Sequence, residues 1–230
     1  MLESLGKYFS KHLIQKPSSC RSDIRTVERL YSNCLEWRGD IITQLCLDES
    51  LTPLHVAAWG GHMAICKLFM ENLADKFPKN ENGQTPLHFA AWSGHLAVCK
   101  LFMENLAGKF PKNENGEPPL HLAAKEGFLN TCEQMVKPEY INPIDNIGVT
   151  PLHLAAQCGH FNVCEYILKN VVTKNPGNKR GLIPYDYARF TPGVSSDVIE
   201  LLHSKLAQEN HFYLEASPFH ANEGTLYMRK

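Results

Sequence analysis

The sequence predicts an all-α fold, a solenoid of stacked helix-turn-helix units joined by β-hairpin-like loops. Three observations lead to this prediction. The tetrapeptide Thr-Pro-Leu-His recurs along the chain, glycines recur in step with it, and the segments that follow carry apolar residues at helical spacing. Internal repetition with a period of about 20 to 50 residues is typical of repeat proteins, in which neighbouring units bury each other's apolar faces.

The copies of the repeat are most similar to one another in the middle of the chain. Thr-Pro-Leu-His begins at Thr52, Thr85 and Thr150, and Pro-Pro-Leu-His begins at Pro118, so the four copies are almost evenly spaced. Residues 52–84 and 85–117 are identical at 27 of 33 positions. A weaker copy, Ile-Pro-Tyr-Asp, begins at Ile183, one repeat length after Thr150. The chain therefore contains four clear repeats and one degenerate copy.

These motifs divide the chain into four repeats between two degenerate capping repeats. Terminal repeats are expected to be atypical, because their outer face meets water. An amphipathic segment precedes the first cap and a loose, flexible tail follows the last. In chain order we predict the N-terminal segment at 1–19, the first cap at 20–51, repeats at 52–84, 85–117, 118–149 and 150–182, the second cap at 183–208 and the tail at 209–230.

Each repeat begins with a residue pattern that favours a helix start. The threonine hydroxyl suits an N-cap, and the proline after it suits the first helical position. A pair of alanines then favours a short helix, and glycine at Gly61, Gly94, Gly127 and Gly159 suits a left-handed residue at its end. A second amphipathic helix follows, as in Leu96–Met103, and Lys79–Gly83 predicts a tight turn.

A period of about 33 residues, together with Thr-Pro-Leu-His-x-Ala, resembles the ankyrin repeat family. The resemblance is close over residues 52–182 and extends weakly from about residue 20 to 208. It implies protein binding on a concave face made of hairpin tips and first helices. It also implies asparaginyl hydroxylation before the hairpin turn, where Asn142 and Asn175 match the pattern and Phe77 and Phe110 do not. Turn formation is the simpler role for both asparagines.

Composition and charge exclude several classes of function. The 23 basic and 24 acidic residues give a net charge of −1, which argues against nucleic-acid binding through phosphates. No apolar run is long enough to cross a bilayer, so we expect no membrane partner. The start of the chain lacks the pattern of a secretory signal, so the eight cysteines are expected to be reduced in the cytoplasm or the nucleus. We expect a monomer.

Histidine and cysteine recur together at helical spacing, which raises the question of a metal or thiolate site. Spacing of four residues places both groups on one face of a helix. However, these cysteines occupy a repeat position that the family resemblance assigns to a buried apolar residue, and a buried thiol behaves as a small hydrophobe. We predict no catalytic, cofactor or metal site, and no enzyme activity. The pairs are His62 and Cys66, His95 and Cys99, and His160 and Cys164.

The candidate partner-binding residues are those at hairpin tips and at the ends of first helices. Trp59 and Trp92 occupy equivalent positions, and exposed tryptophan is enriched at interface hot spots. Stacking would place the two rings side by side as an aromatic ledge, although duplication alone could have copied one tryptophan. The full set is Trp59, Trp92, Lys125, Gln157, Glu81, Asn82, Gln84, Glu114, Asn115, Glu117, Lys179 and Arg180.

The sequence thus predicts a non-enzymatic protein-interaction scaffold with an unknown partner protein. Residues 41–171 carry 13 acidic and 9 basic side chains, so we expect a basic and apolar partner segment on the first three repeats. One alternative is a substrate receptor or adaptor in a larger assembly such as a ubiquitin ligase. Another is the regulatory arm of a longer protein. A binding motif in the aromatic tail, at Phe212, Tyr213, Phe219 and Tyr227, is a further alternative.

Overall fold

The computed structural model describes residues 51–72, 75–106, 110–136, 142–171 and 176–209. The predicted segment 1–19, the first cap apart from Leu51, and the tail apart from Glu209 lie outside the described residues. All four repeats that begin with Pro-Leu-His motifs are described in large part, as is the predicted second cap.

The described residues form ten α-helices, and none of them is in a β-strand. The helices come in pairs, with one pair in each repeat, which confirms the predicted all-α class of helix-turn-helix units. In chain order they are α1 Pro53–Trp59, α2 Met63–Asn72, α3 Pro86–Trp92, α4 Leu96–Glu104, α5 Pro119–Glu126, α6 Leu129–Met135, α7 Pro151–Gln157, α8 Phe161–Asn170, α9 Pro184–Phe190 and α10 Ser196–Glu209.

The chain divides into two compact units, Met1–Glu114 and Asn115–Lys230. In the N-terminal unit, the first helices α1 and α3 pack on each other, as do the second helices α2 and α4. In the C-terminal unit, α7 packs on both α5 and α9, while α8 packs on α6 and α10. Each unit is thus two layers, one of first helices and one of second helices.

The first helices begin as the sequence predicts. Thr52, Thr85 and Thr150 are N-cap residues with extended backbone, and a proline is the first helical residue each time. The small alanines at the end of each motif are buried, which lets adjacent first helices approach closely. They are Ala57 and Ala58, Ala90 and Ala91, Ala123 and Ala124, and Ala155 and Ala156.

The second helices bury their apolar stripe against the first helices. In α2 this stripe includes Cys66 and Phe69, and in α4 it includes Cys99 and Phe102, all at most 2% exposed. The same position holds Cys132 in α6 and Cys164 in α8, both fully buried and free. The expectation of a buried cysteine at this repeat position is therefore confirmed.

Three of the hairpin turns are built around one side chain, which is a buried amide at Asn80 and Asn178 and a half-buried carboxylate at Asp145. The Asn80 side-chain oxygen accepts the backbone N–H groups of Asn82 and Gln84, at 3.1 and 2.8 Å. Gly83 closes the turn with φ of +69°, a conformation that favours glycine. Consecutive turns are joined by one backbone hydrogen bond, as from the Glu114 N–H to the Asn82 carbonyl at 3.0 Å.

Candidate functional site

The two tryptophans of the N-terminal unit form a parallel stack. The Trp59 and Trp92 ring centroids lie 6.2 Å apart, and their planes differ by 4°. Trp92 is 43% exposed. Trp59 is less exposed and counts as half-buried, because the Trp92 ring lies against it. The two rings lie side by side on one surface, and Trp59 is half-buried where the sequence predicted an exposed position. We call this pair the tryptophan ledge.

Two contacts hold the tryptophan ledge in place. The His95 Nε2–H donates to the Trp59 backbone carbonyl at 2.9 Å, which ties the end of α1 to the start of α4. The Phe89 ring meets the Trp92 ring edge-on, with centroids 6.3 Å apart. Phe89 itself is 5% exposed and packs against His55, so the ledge lies on a buried base. A surface with this support is preordered for binding.

The hairpin residues predicted for the N-terminal unit lie at the surface. Glu81, Asn82 and Glu114 are exposed, and Gln84 is half-buried. Gln84 is turned toward its own hairpin, since the Asn80 amide donates to its side-chain oxygen at 3.3 Å. The backbone bond between Asn82 and Glu114 places these two tips next to each other.

The remaining predicted residues belong to the C-terminal unit. Among them Asn115, Lys125, Gln157, Lys179 and Arg180 are exposed, and Glu117 is half-buried. The predicted set therefore falls into two groups, one on each compact unit. Of the two candidate hydroxylation positions, Asn142 is half-buried just before its hairpin turn, and Asn175 lies outside the described residues.

Three exposed aromatic residues are missing from the predicted set, namely Phe128, Phe161 and Phe190, of which Phe190 is the most exposed. Phe190 ends α9 and is 58% exposed, and the Arg189 guanidinium lies 6.0 Å from its ring centroid. Phe190 follows Gln157 by one repeat length, so it occupies the repeat position of Trp59 and Trp92. Extending the register into the degenerate repeat would have found it.

Three of the buried cysteines in the second helices are not reactive thiolates. Burial raises the pKa of the Cys99, Cys132 and Cys164 thiols to about 12, so they are protonated at neutral pH. The His95 and His160 Nε2–H groups each donate to a carbonyl of the preceding repeat, at 2.9 and 2.8 Å. Within the part of the chain that the structure describes, no three His, Cys, Asp or Glu side chains cluster as metal ligands.

The histidines of the recurring tetrapeptide are also structural. His55 Nδ1 accepts the Thr52 backbone N–H at 3.1 Å, and its Nε2–H donates to the Gln84 carbonyl at 3.0 Å. His153 has the same pair of contacts, with Thr150 and Leu182. Each ring therefore joins the start of a first helix to the hairpin that leads into the next repeat, and both rings are fully buried.

Comparison with known families agrees with this architecture. A family model for ankyrin repeats, made of three copies, matches residues 19–111 and 103–178. The chain belongs to the ankyrin repeat family. No curated protein matches the sequence. Ankyrin repeats generally mediate protein–protein interaction, so this ankyrin repeat chain has protein partners as its expected ligands. None of the described helices has the length and apolarity needed to cross a membrane.

Proposed function

We propose that this ankyrin repeat chain is a non-enzymatic interaction module whose partner protein contacts the tryptophan ledge and the neighbouring hairpin tips. The observation that carries the proposal is the parallel stack of Trp59 and Trp92, with Trp92 43% exposed. An exposed tryptophan ring is unfavourable in water, so covering the ring with a partner makes binding more favourable. Because the two rings are already stacked, binding does not have to meet the entropic cost of ordering them.

The hairpin tips of the same unit would give the partner its charge preference. Glu81 and Glu114 are exposed on adjacent tips, in the same repeat position. A partner segment with basic and apolar side chains would satisfy both the carboxylates and the rings. Charged groups at the edge of an interface act mainly on the association rate and on selectivity.

The non-enzymatic part of the proposal is supported by what the nucleophilic side chains do. The Cys99, Cys132 and Cys164 thiols are buried and protonated, and the tetrapeptide histidines His55 and His153 use both ring nitrogens in structural contacts. We retain Asn142 and Asn175 as candidates for asparaginyl hydroxylation, on the family resemblance alone.

The test compares Trp92→Ala with Phe190→Ala in capture experiments from cell extract. Both variants remove an exposed aromatic ring from the end of a first helix, but only the first one alters the tryptophan ledge. We expect Trp92→Ala to lose a partner set that wild type and Phe190→Ala both retain. The melting temperature should change by only a few degrees, since Trp92 is already 43% exposed.

A partner set that is identical for all three proteins would contradict the ledge as the binding site. Trp59→Ala is the less suitable variant, because Trp59 is half-buried and its loss removes packing as well as surface. The captured partner should then bind the purified chain directly, with an affinity that Trp92→Ala lowers at least tenfold.

A further inference from the structure

The hairpin tips change their chemistry along the chain while their backbone geometry stays the same. At the first tip position the two repeats of the N-terminal unit have glutamate, at Glu81 and Glu114, whereas the last hairpin has Lys179. At the next position Asn82 and Asn115 are replaced by Ile147 and then by Arg180. The last two hairpins are therefore apolar and basic, in contrast to the earlier ones.

Two aliphatic side chains are unusually exposed on the first of these hairpins. Ile144 is 51% exposed and Ile147 is 56% exposed, the highest values among the large hydrophobic side chains at described hairpin tips. The Lys179 backbone N–H donates to the Ile147 carbonyl at 2.9 Å, so the next hairpin lies directly alongside. Lys179 and Arg180 are both exposed there. We call Ile144, Ile147, Lys179 and Arg180 the apolar–basic tip.

Asp145 is the one carboxylate within the described residues of these two hairpins, and the two cations Lys179 and Arg180 outnumber it. Asp145 accepts the backbone N–H groups of Ile147 and Val149, at 2.8 and 2.7 Å, and so faces into its own turn. In the next hairpin the Asn178 side chain does the same for Arg180 and Leu182, at 2.8 and 3.1 Å. These bonds hold both turns in place, so the exposed side chains extend from an ordered backbone.

We propose that the apolar–basic tip is a second contact surface, which binds an acidic peptide segment of a partner protein. The segment would place a bulky apolar side chain on Ile144 and Ile147 and carboxylates beside Lys179 and Arg180. Covering the two isoleucines removes apolar surface from water, and the cations select against neutral or basic segments. This proposal does not depend on the tryptophan ledge, which belongs to the other compact unit and has the opposite charge preference.

A nucleic acid is the less suitable ligand for this surface. Two adjacent cations are few for a phosphate backbone, since binding strength grows with the number of phosphates neutralised. The apolar side chains here are aliphatic, whereas nucleotide bases stack on aromatic rings. A single-stranded oligonucleotide is therefore included in the test as the competing ligand.

The experiment selects binders from a random peptide library displayed on phage, with the full chain as bait. The test variant is Ile147→Asn/Lys179→Glu/Arg180→Asn. Each new residue already occurs at the same tip position of an earlier hairpin, where Asn82 and Asn115 correspond to Ile147 and Arg180, and Glu114 corresponds to Lys179. Because those residues already support this turn in the chain, the variant should keep its fold, which a melting curve checks. If it does not fold, Lys179→Gln/Arg180→Gln replaces it.

We expect enriched peptides that combine acidic with bulky apolar residues, bind the tip variant at least tenfold more weakly, and bind Trp92→Ala as well as wild type. Three outcomes would overturn the proposal: no enrichment of acidic peptides, enriched peptides that bind wild type and tip variant equally, or tip-dependent binding of the oligonucleotide alone. Failure of the tryptophan-ledge proposal would appear separately, in the partner set of Trp92→Ala.

Discussion

His55 shows how one side chain joins two repeats. Because Nδ1 accepts the Thr52 backbone N–H, that nitrogen carries no proton, and the proton lies on Nε2, which donates to the Gln84 carbonyl. A second proton on the ring would have to lie on Nδ1, where it would face the Thr52 N–H. Burial lowers the pKa of His55 to about 4, and burial lowers that of His153 to about 4 as well.

These lowered pKa values predict loss of stability in mild acid. Between pH 6.5 and pH 4 the unfolded chain binds a proton at each of these histidines and the folded chain does not, so the free energy of unfolding falls as pH falls. The stabilising contribution is present above pH 6.5 and is lost toward pH 4. From pH 7 to pH 5 we expect a loss of about 2 kcal/mol for each histidine within its cooperative unit.

Urea unfolding at pH 7, 6 and 5 measures this effect, followed by circular dichroism. His55→Asn is the comparison, because it removes one of these two rings and should make the pH dependence shallower. A free energy of unfolding that stays constant from pH 7 to pH 5 would show that the rings protonate without loss of their hydrogen bonds.

At the scale of the element, the turn between the two helices of a repeat depends on a glycine and on the next repeat's histidine. Gly127 has φ of +81°, and an added Cβ would lie 2.5 Å from Nδ1 of His160, whose Nε2–H donates to the Lys125 carbonyl. Gly159 is the same position one repeat later, with φ of +76°, but an added Cβ would make only ordinary contact, at 3.9 Å from Val194. Both sites have a left-handed backbone that would strain an alanine, but only at Gly127 would the added Cβ collide with a histidine ring.

This difference predicts unequal costs for the same substitution. Gly159→Ala should lower the free energy of unfolding by about 1–2 kcal/mol, which is the strain of alanine in the left-handed region. Gly127→Ala should lose at least about 1 kcal/mol more, because the ring of His160 must move and its hydrogen bond to the Lys125 carbonyl is broken. Chemical unfolding of both variants measures the costs, and equal losses would mean that the histidine contact adds nothing to stability.

The elements were predictable from the sequence to the extent that they depend on local residues. A threonine before a proline starts three of the described first helices, and a left-handed glycine follows each of these three, whatever the neighbouring repeat does. The partner of His95 was not predictable, because the Trp59 carbonyl comes within reach only when the repeats stack. For the same reason the sequence could not show that Trp92 covers Trp59.

At the scale of the whole molecule, a net charge of −1 conceals opposite local preferences. The tips of the N-terminal unit expose Glu81 and Glu114, and the last hairpin of the C-terminal unit exposes Lys179 and Arg180. Fields from such local groups extend about 8 Å at physiological salt, so a ligand responds mainly to the charges at its own contact surface. Net charge therefore does not indicate which charge a partner segment carries at either surface.

The acidic tips of the N-terminal unit lead to a prediction about association kinetics. Glu81→Lys/Glu114→Lys should slow association of a basic partner several-fold at low salt, because the approaching segment is no longer attracted. The matched control is Glu71→Lys/Glu104→Lys, which makes the same change in net charge with the same repeat spacing on exposed positions of the second helices. Stopped-flow or surface-based kinetics with the captured partner would measure both rates.

The contrast between the two double variants distinguishes local steering from a general effect of charge. If the tips steer the partner, only the tip variant associates slowly, its dissociation rate changes little, and the difference disappears near 0.5 M salt, roughly where the screening length falls below 5 Å. If both variants slow association equally, net charge is responsible and the tips have no special role. If neither does, the partner binds through the apolar ledge alone, and its basic character is not required.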